Sequence, residues 1–440
     1  MLKEKNAYMM MELEEYMGLS NMDTIRDLIK LEFNELKKRY AESSAHIDLM
    51  GVPFDHEEVS DAVESLLTTR VTMGKKVRLF ENAWAEYINM KECLMVNSGS
   101  SANLVALSAL TSEEVDNRIA PGSEVITPAL TWSTSVFPII NVNARPRLID
   151  VNKEEFIVDV ESIKEAITSK TSAIMPVHLL GNPVDMPAIM DLAEDHHLWV
   201  IEDCCEAHGA KIGNNKVGSF GHVSTFSFFF SHHITTIEGG AVLTNDESLA
   251  DIMRSIRAHG WVRERSDREK IIENNPNIDP RFMFVTKGYN LRPTEIQGAF
   301  GINQIKKLDL FLNKRHKIVN YWLKELKRFQ DYFYLPFQRA GTHHAWFGFP
   351  LIAKKDAPFS IEDLAQFLEE NNIATRPIMG GNITRHPALS PDDYELQGEL
   401  TNANYIMDNG IFVSNHQDLR EIDQKLLVDT IDLFLKKLKA

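Results

Sequence analysis

A chain of 440 residues that is 44% apolar and 25% charged holds enough material for two or three buried cores, which argues against a disordered or fibrous protein. A formal net charge of −16, with no Lys/Arg-rich run to offset it, argues against a nucleic-acid binder or a membrane-surface protein, and leaves room only for a local basic pocket for a small anion. Three cysteines, Cys93, Cys204 and Cys205, give no disulfide framework and suit a reducing cytoplasm.

The first twenty residues include Lys3, Lys5, Glu12, Glu14 and Glu15, which interrupt any signal-peptide core, and no later run has the length of a transmembrane helix; a cytoplasmic protein is expected. From Asp23 to about Ser43, Ile25, Leu28, Ile29, Leu36 and Tyr40 recur at helical spacing after Asp23 as a cap, so residues 1–55 are expected to form an N-terminal helical segment that packs on the main body. Short apolar runs then alternate with helical patterns: Cys93–Asn97, Glu124–Thr127, Ala173–Val177, Leu198–Glu202, Ser224–Phe228 and Gly240–Leu243. That alternation predicts an α/β fold with a doubly wound, mainly parallel sheet over residues 56–310. The polar stretch Arg263–Asp279 reads as a loop. A long helix from Ile305 to Arg328, strand signals at Trp346–Ile352, and helices at Ile361–Asn371 and Asp418–Leu438 predict a smaller α+β unit over residues 311–440.

Sheets of this kind hold ligands at the carboxyl ends of their strands, and the chemically informative residues follow the apolar runs. Ser98-Gly99-Ser100-Ser101 joins a strand to the helical Ala102–Leu110, and a Gly/Ser turn at a helix N-terminus offers amides and dipole to a phosphate. Trp132 follows the second run and its turn. Asp203, in Val200-Ile201-Glu202-Asp203-Cys204-Cys205-Glu206-Ala207-His208-Gly209, ends a buried strand, where a carboxylate is costly without a partner. In Ser227-Phe-Phe-Phe-Ser-His232-His233-Ile-Thr-Thr-Ile-Glu238-Gly-Gly, two adjacent histidines interrupt an apolar run. For an arbitrary pair the ordinary reading is a strand end, with one ring solvated and one in the core; the landmarks around this pair point elsewhere.

Taken together and in this order, these segments, with Pro176-Val177-His178-Leu179-Leu180-Gly181-Asn182-Pro183 and Gly288-Tyr289-Asn290-Leu291, resemble the DegT/DnrJ/EryC1/StrS sugar aminotransferase family. The resemblance implies the fold type I of pyridoxal phosphate (PLP) enzymes and covers nearly the whole chain beyond its N-terminal segment. It implies that Ser100, Ser101 and Ser227 bind the cofactor phosphate, that Trp132 stacks on the pyridine ring, and that Asp203 pairs with its nitrogen. Glu206 would stand near the ring hydroxyl, where many relatives carry Gln, His178 would line the site floor, and Asn290 would reach the phosphate across a homodimer interface. Arg70, Thr72, Arg376, Asn382 and Arg385 are the candidates for the sugar nucleotide, since guanidinium groups suit diphosphates. No metal site is expected.

One departure matters most. Ser-Phe and Glu-Gly-Gly bracket a cofactor-bonding lysine in the family, and here that place is taken by His232. An imidazole cannot anchor the cofactor covalently but can move a proton near neutral pH. The histidine-bearing branch resembles 3-dehydratases of nucleotide-linked 4-keto-6-deoxyhexoses, which implies C3 deoxygenation with pyridoxamine phosphate (PMP) held non-covalently, His232 as catalytic group, and an amino donor such as glutamate to regenerate PMP. Surface-polysaccharide (O-antigen) biosynthesis is the context it implies. A reductase-dependent cousin carries a Cys-x57-Cys-x-Cys-x7-Cys cluster motif; counting from Cys205, the matching positions here are Arg263, Arg265 and Glu273, so no four-thiolate iron–sulfur site can form in one chain. The competing functions are an ordinary PLP aminotransferase, which lacks its lysine because neither Lys216 nor Lys287 falls in frame, and a non-catalytic binding protein, which should have lost Asp203 and Ser227 as well.

Overall fold

The computed structural model describes residues 21–439, so residues 1–20 of the expected N-terminal segment lie outside the described residues. Met22–Glu42 form helix α1, whose cap is Asn21 without a side-chain bond; Asp23 falls inside the first turn instead, where its charge still faces the positive end of the helix. Only part of the expected apolar stripe packs. Phe33 lies edge-on to Phe54 and Arg26 pairs with Asp61 and Glu64, whereas Leu28 and Leu36 are 58% and 40% exposed.

Helix α2 (His56–Leu67) begins on a reciprocal cap between Asp55 and Glu58. Helix α3 (Lys75–Ile88) has only Gly74 at its start, and the carboxylate of Glu295 acts as a cap from outside, accepting from the amides of Lys76 at 2.6 Å and Val77 at 3.4 Å.

The strands in chain order are β1 (Glu92–Val96), β2 (Glu124–Pro128), β3 (Arg145–Ile149), β4 (Thr171–Ile174), β5 (Trp199–Asp203), β6 (Lys211–Ile212), β7 (Asn215–Lys216), β8 (Val223–Ser227), β9 (Gly240–Thr244), β10 (Phe333–Tyr334), β11 (Thr342–His343), β12 (Gly348–Ala353), β13 (Thr375–Pro377), β14 (Glu395–Gln397) and β15 (Gly410–Ser414). Eight of them form one sheet in the order β1-β9-β8-β5-β4-β2-β3-β14. All neighbours are parallel except that β9 runs against both β1 and β8, so the expected mainly parallel α/β sheet is found with one reversal. β10, β12, β15 and β13 make a smaller antiparallel sheet.

Two strands of the large sheet escape the apolar-run pattern. β3 carries Pro146 between two arginines, and β14 arrives from the C-terminal part of the chain; Arg145 reaches Glu395 at 2.7 Å and Arg147 reaches Gln397 at 2.9 Å across the pair. The stretch expected as a loop at Arg263–Asp279 contains a helical segment, Arg268–Asn274. Among the described residues no helix is long and apolar enough to cross a membrane.

Both faces of the large sheet are covered. Leu94, Val125, Ile201 and Val242 meet helix α4 (Gly99–Leu110) and the helix Glu247–Arg257 on one side, while Ile126, Leu148, Ile174 and Val200 meet the helices Val160–Ala166 and Met186–Asp195 on the other. Burial on both faces is why these strands read as continuous apolar runs. Trp84 of α3 lies edge-on to Phe226 and Phe228, 5.1 Å from each, and this aromatic block braces the end of β8 where the site begins. Each fully buried Phe contributes about 2 kcal/mol from area alone.

Candidate active site

The turn after β1 is built as a cradle. Ser98 caps α4, its hydroxyl accepting from the Ser101 amide at 3.1 Å, and the first amides of the helix face outward with the positive end of its dipole. Ser227, at the end of β8, approaches so closely that a Cβ on Gly99 would stand 2.5 Å from its own Cβ; a Cβ on Gly240 would stand 2.3 Å from the Ser98 carbonyl. Glycine at both positions is what lets β1, β8 and β9 converge here. Ser98, Ser100 and Ser227 line a cavity of about 430 Å³ at the carboxyl ends of the strands. Ser101 does not line it: its hydroxyl is turned back to Asn97 at 2.6 Å, so its contribution is the amide and the cap.

Across the cavity stand Trp132 and Asp203. The indole is 53% exposed, an open aromatic face at the rim. The Asp203 carboxylate, 3% exposed, is fixed by three donors: Ser135 Oγ at 2.8 Å and Asn103 Nδ2 at 3.0 Å on one oxygen, and the Cys205 amide at 3.1 Å on the other. Asn103 is itself oriented by Thr225 Oγ1, which donates to its carbonyl at 2.6 Å. None of Asn103, Ser135 or Thr225 was singled out from sequence; the one usable signal was a lone Asn in the apolar run of α4.

Glu206 faces the same space. One of its oxygens accepts the Leu180 amide at 2.6 Å, presented by a turn in which Leu180 and Gly181 both take positive φ, 53° and 89°. Burial pushes its carboxyl up to about 8, with Asp203 adding to the shift and the Leu180 amide opposing it. At neutral pH it is therefore a neutral acid with a proton to donate, the same hydrogen-bonding character as the Gln found in relatives.

His232 stands on the cavity wall against the ring of Phe347, 5.1 Å between centroids. Its Nδ1 is buried without a hydrogen-bond partner, and Nε2 is the nitrogen open to the cavity. Burial first, and the Arg315 guanidinium second, push its imidazolium down to about 3, so the resting ring is neutral with a lone pair to offer. No lysine of the described residues lines the cavity; Lys216 lies over the Tyr87 ring at 4.2 Å, and Lys287 is on another surface.

The arrangement fits a pyridoxal-type cofactor: a glycine-dependent hydroxyl and amide cradle for phosphate, an open indole face, a fixed buried carboxylate for the ring nitrogen, and among the described residues no amine in the lining to bond it. A family model for the DegT/DnrJ/EryC1/StrS aminotransferases matches residues 53–432. The chain belongs to that family. The DegT/DnrJ/EryC1/StrS protein described here is 41% identical over 373 residues to the GDP-4-keto-6-deoxy-D-mannose 3-dehydratase of Yersinia pseudotuberculosis, covering 84% of this chain and 94% of that one. It is similar to a crystal structure of a GDP-4-keto-6-deoxymannose-3-dehydratase variant with bound GDP-perosamine, with a TM-score of 0.82 and 35% identity over 88% of this chain and 100% of that one. A structure of that enzyme with a trapped PLP-glutamate geminal diamine superposes with a TM-score of 0.79 and 35% identity, over 87% and 99% of the two chains.

Within this DegT/DnrJ/EryC1/StrS chain the remaining sequence candidates separate. Arg376 lines the cavity, its Nη1 donating to the Thr375 carbonyl at 2.7 Å. His178 does not form the floor: it is fully buried one residue behind the lining Val177, Nδ1 accepting from the Val184 amide at 3.0 Å and Nε2 facing Glu202 at 3.3 Å. Asn382 is 1% exposed and bonded to Asn404 and Thr384, a structural cap for the turn Ile383–Arg385, and Arg385 pairs with Asp408 at 2.5 Å away from the cavity. Arg70 is exposed and outside the cavity, while Thr72 and Asn290 share a separate hollow with Trp261, Arg263 and Arg292. Of the three positions where the iron–sulfur cousin carries further thiolates, Arg263 lies over the Trp261 ring at 3.9 Å and Arg265 pairs with Glu114 and Asp267.

Proposed function

We propose that the protein removes the C3 hydroxyl of a nucleotide-linked 4-keto-6-deoxyhexose as a PMP-dependent dehydratase, with glutamate as amino donor. The observation that carries the reading is a neutral imidazole, His232, at the place where an aminotransferase bonds its cofactor, in a cavity that no lysine among the described residues lines. Bound there, PMP supplies an amine that condenses with the sugar ketone and a ring that withdraws electrons toward its nitrogen.

The rest belongs to the chain. Ser98, Ser100, Ser227 and the α4 amides hold the phosphate; Trp132 covers one ring face; Asp203 favours a protonated ring nitrogen; Glu206 donates to the ring hydroxyl. His232 Nε2 takes a proton from the cofactor methylene and returns it to the departing C3 oxygen, so that water rather than hydroxide leaves. Arg376, at the outer wall, is placed for the sugar nucleotide. The relatives' names support GDP as the nucleotide. Asn290 lies away from its own chain's cavity, which supports a homodimer in which each protomer completes its partner's phosphate site.

Purified protein incubated with PMP, glutamate and GDP-, CDP- and dTDP-4-keto-6-deoxyhexoses is expected to yield a 3-deoxy product, followed by mass spectrometry. A 4-amino sugar formed instead would identify an aminotransferase. His232→Lys is expected to bind PLP covalently, seen as a mass increase after borohydride reduction, and to lose deoxygenation by at least about 100-fold; retained dehydration would remove His232 from its role.

A further inference from the structure

A second hollow, of about 720 Å³, lies where the N-terminal segment packs on the body, and it shares no lining residue with the active-site cavity. One wall, which includes Lys37, Tyr40 and Val52, comes from chain that precedes residues 53–432, the stretch that the family model matches. The opposite wall is the helix Leu308–Leu326 with the turn before it, and residues 417–420 close the end. These walls are fixed to one another. The Val52 amide donates to the Asp418 carboxylate at 3.0 Å, an approach so close that it leaves no room for a Cβ on Gly51. Arg420 donates to the carbonyls of Tyr40, Ala41 and Ser43.

Five cations line the hollow, Lys37, Lys307, Lys314, Lys317 and Arg420, against two carboxylates, Asp55 and Asp418. That is a local excess of positive charge in a chain whose net charge is −16. Lys307 is committed to Glu58 at 2.7 Å and Asp55 at 3.0 Å, and Arg420 to Asp423 at 2.7 Å, while Lys37 faces Asp55 loosely at 3.6 Å. Lys314 and Lys317 make no hydrogen bond or ion pair among the described residues; Lys314 favours the charged form of Asp418 only from beyond ion-pair distance. Standing three residues apart on one helix, these two ammonium groups share a face, where like charges repel. A second observation points the same way. Gln417, 7% exposed, and Tyr40 both line the hollow, and Gln417 Oε1 and Tyr40 Oη are buried without a hydrogen-bond partner. Buried polar atoms are satisfied as a rule.

We propose that this hollow binds a small molecule carrying a diphosphate group, with the ammonium groups of Lys314 and Lys317 on its phosphate oxygens and Lys37 as a third cation beside them. Two point charges set one helical turn apart suit two linked phosphates better than a single carboxylate, and bound oxygens would relieve their mutual repulsion. Gln417 and Tyr40 supply polar groups that the chain leaves unmatched, and Phe54, Phe311, Ile318 and Leu419 add an apolar wall. The diphosphate is either free or part of a nucleoside diphosphate whose base lies on that wall. This site is separate from the proposed reaction and does not rest on it.

Protein loaded with PMP, so that the phosphate cradle of the active site is filled, is titrated by calorimetry with inorganic pyrophosphate in one arm and GDP in another, at about 0.05 M salt to limit screening. Pyrophosphate is expected to bind and to raise the thermal midpoint by about 1–3 °C. Lys314→Gln combined with Lys317→Gln changes two exposed side chains, so the fold is retained, and is expected to weaken pyrophosphate binding on the order of 10- to 100-fold and abolish the midpoint shift. Arg376→Gln, which alters the active-site cavity instead, is expected to leave pyrophosphate binding unchanged. Lysine-dependent binding that is tighter for GDP identifies a nucleoside diphosphate as the ligand; lysine-dependent binding no tighter for GDP identifies the free diphosphate. The proposal is overturned if the wild type binds neither probe, or if the double lysine variant binds both as the wild type does. It is equally overturned if Arg376→Gln, rather than the lysine pair, removes pyrophosphate binding.

Discussion

Replacing Glu206 with Gln should stabilise the apo-protein near neutral pH relative to wild type, by an amount that grows with pH. The carboxyl is 6% exposed and its pKa rises from 4.5 to about 8, through burial first and then Asp203, against the opposing Leu180 amide. Below pH 4.5 the group is protonated in both the folded and unfolded chain, and its neutral form carries no electrostatic penalty. Between 4.5 and about 8 the unfolded chain ionises while the folded one resists, so wild-type stability falls as pH rises, by about 1.4 kcal/mol per pH unit. The accumulated loss is about 3 kcal/mol at pH 7 and about 5 kcal/mol above pH 8. Gln does not titrate and its carbonyl still accepts the Leu180 amide. Urea midpoints of both proteins at one fixed concentration, across pH 4.5 to 8.5, should therefore diverge steadily toward alkaline pH with unchanged slopes. A stability difference that stays flat across that range would mean that Glu206 ionises freely in the fold, and the argument for a neutral acid at the ring hydroxyl would be refuted.

Gly99→Ala places a Cβ 2.5 Å from the Ser227 Cβ and 3.1 Å from its Cα, so the strand end must move; a loss of about 1–3 kcal/mol by chemical denaturation and weaker PMP binding by equilibrium dialysis are expected, and normal values of both would deny the close convergence of β1 and β8. Asn290→Ala mixed with His232→Asn tests the shared site. Each variant alone should be nearly inactive, while randomly reassorted dimers should recover about one quarter of wild-type activity, because half are mixed and each mixed dimer has one intact site; no recovery on mixing would place Asn290 outside the partner's site.

Six strands of the large sheet were legible because both of their faces are buried, which makes the apolar run itself the signal. β3 and β14 were not, because an Arg-Pro-Arg stretch and a Glu-Leu-Gln stretch become strands only through the cross-strand pairs Arg145–Glu395 and Arg147–Gln397, which join positions about 250 residues apart. Helix α1 was visible by its period, yet which of its apolar residues pack depends on where α2 and Phe54 lie, and Leu28 ended in solvent.

For the site, the amino-acid order alone settled the chemistry available: a Gly/Ser turn between strand and helix, an aspartate and a serine at strand ends, and an imidazole in the lysine's place are local facts of covalent neighbourhood. Direction is not local. That His178 and Asn382 serve the core, that Asn103 and Ser135 hold Asp203, and that Thr72 and Asn290 stand in a separate hollow follow from how distant segments pack. The same holds for protonation. Glu206 and His232 titrate as they do because the fold removes water from them and brings Asp203 and Arg315 near, and a pKa belongs to that surrounding rather than to the residue type.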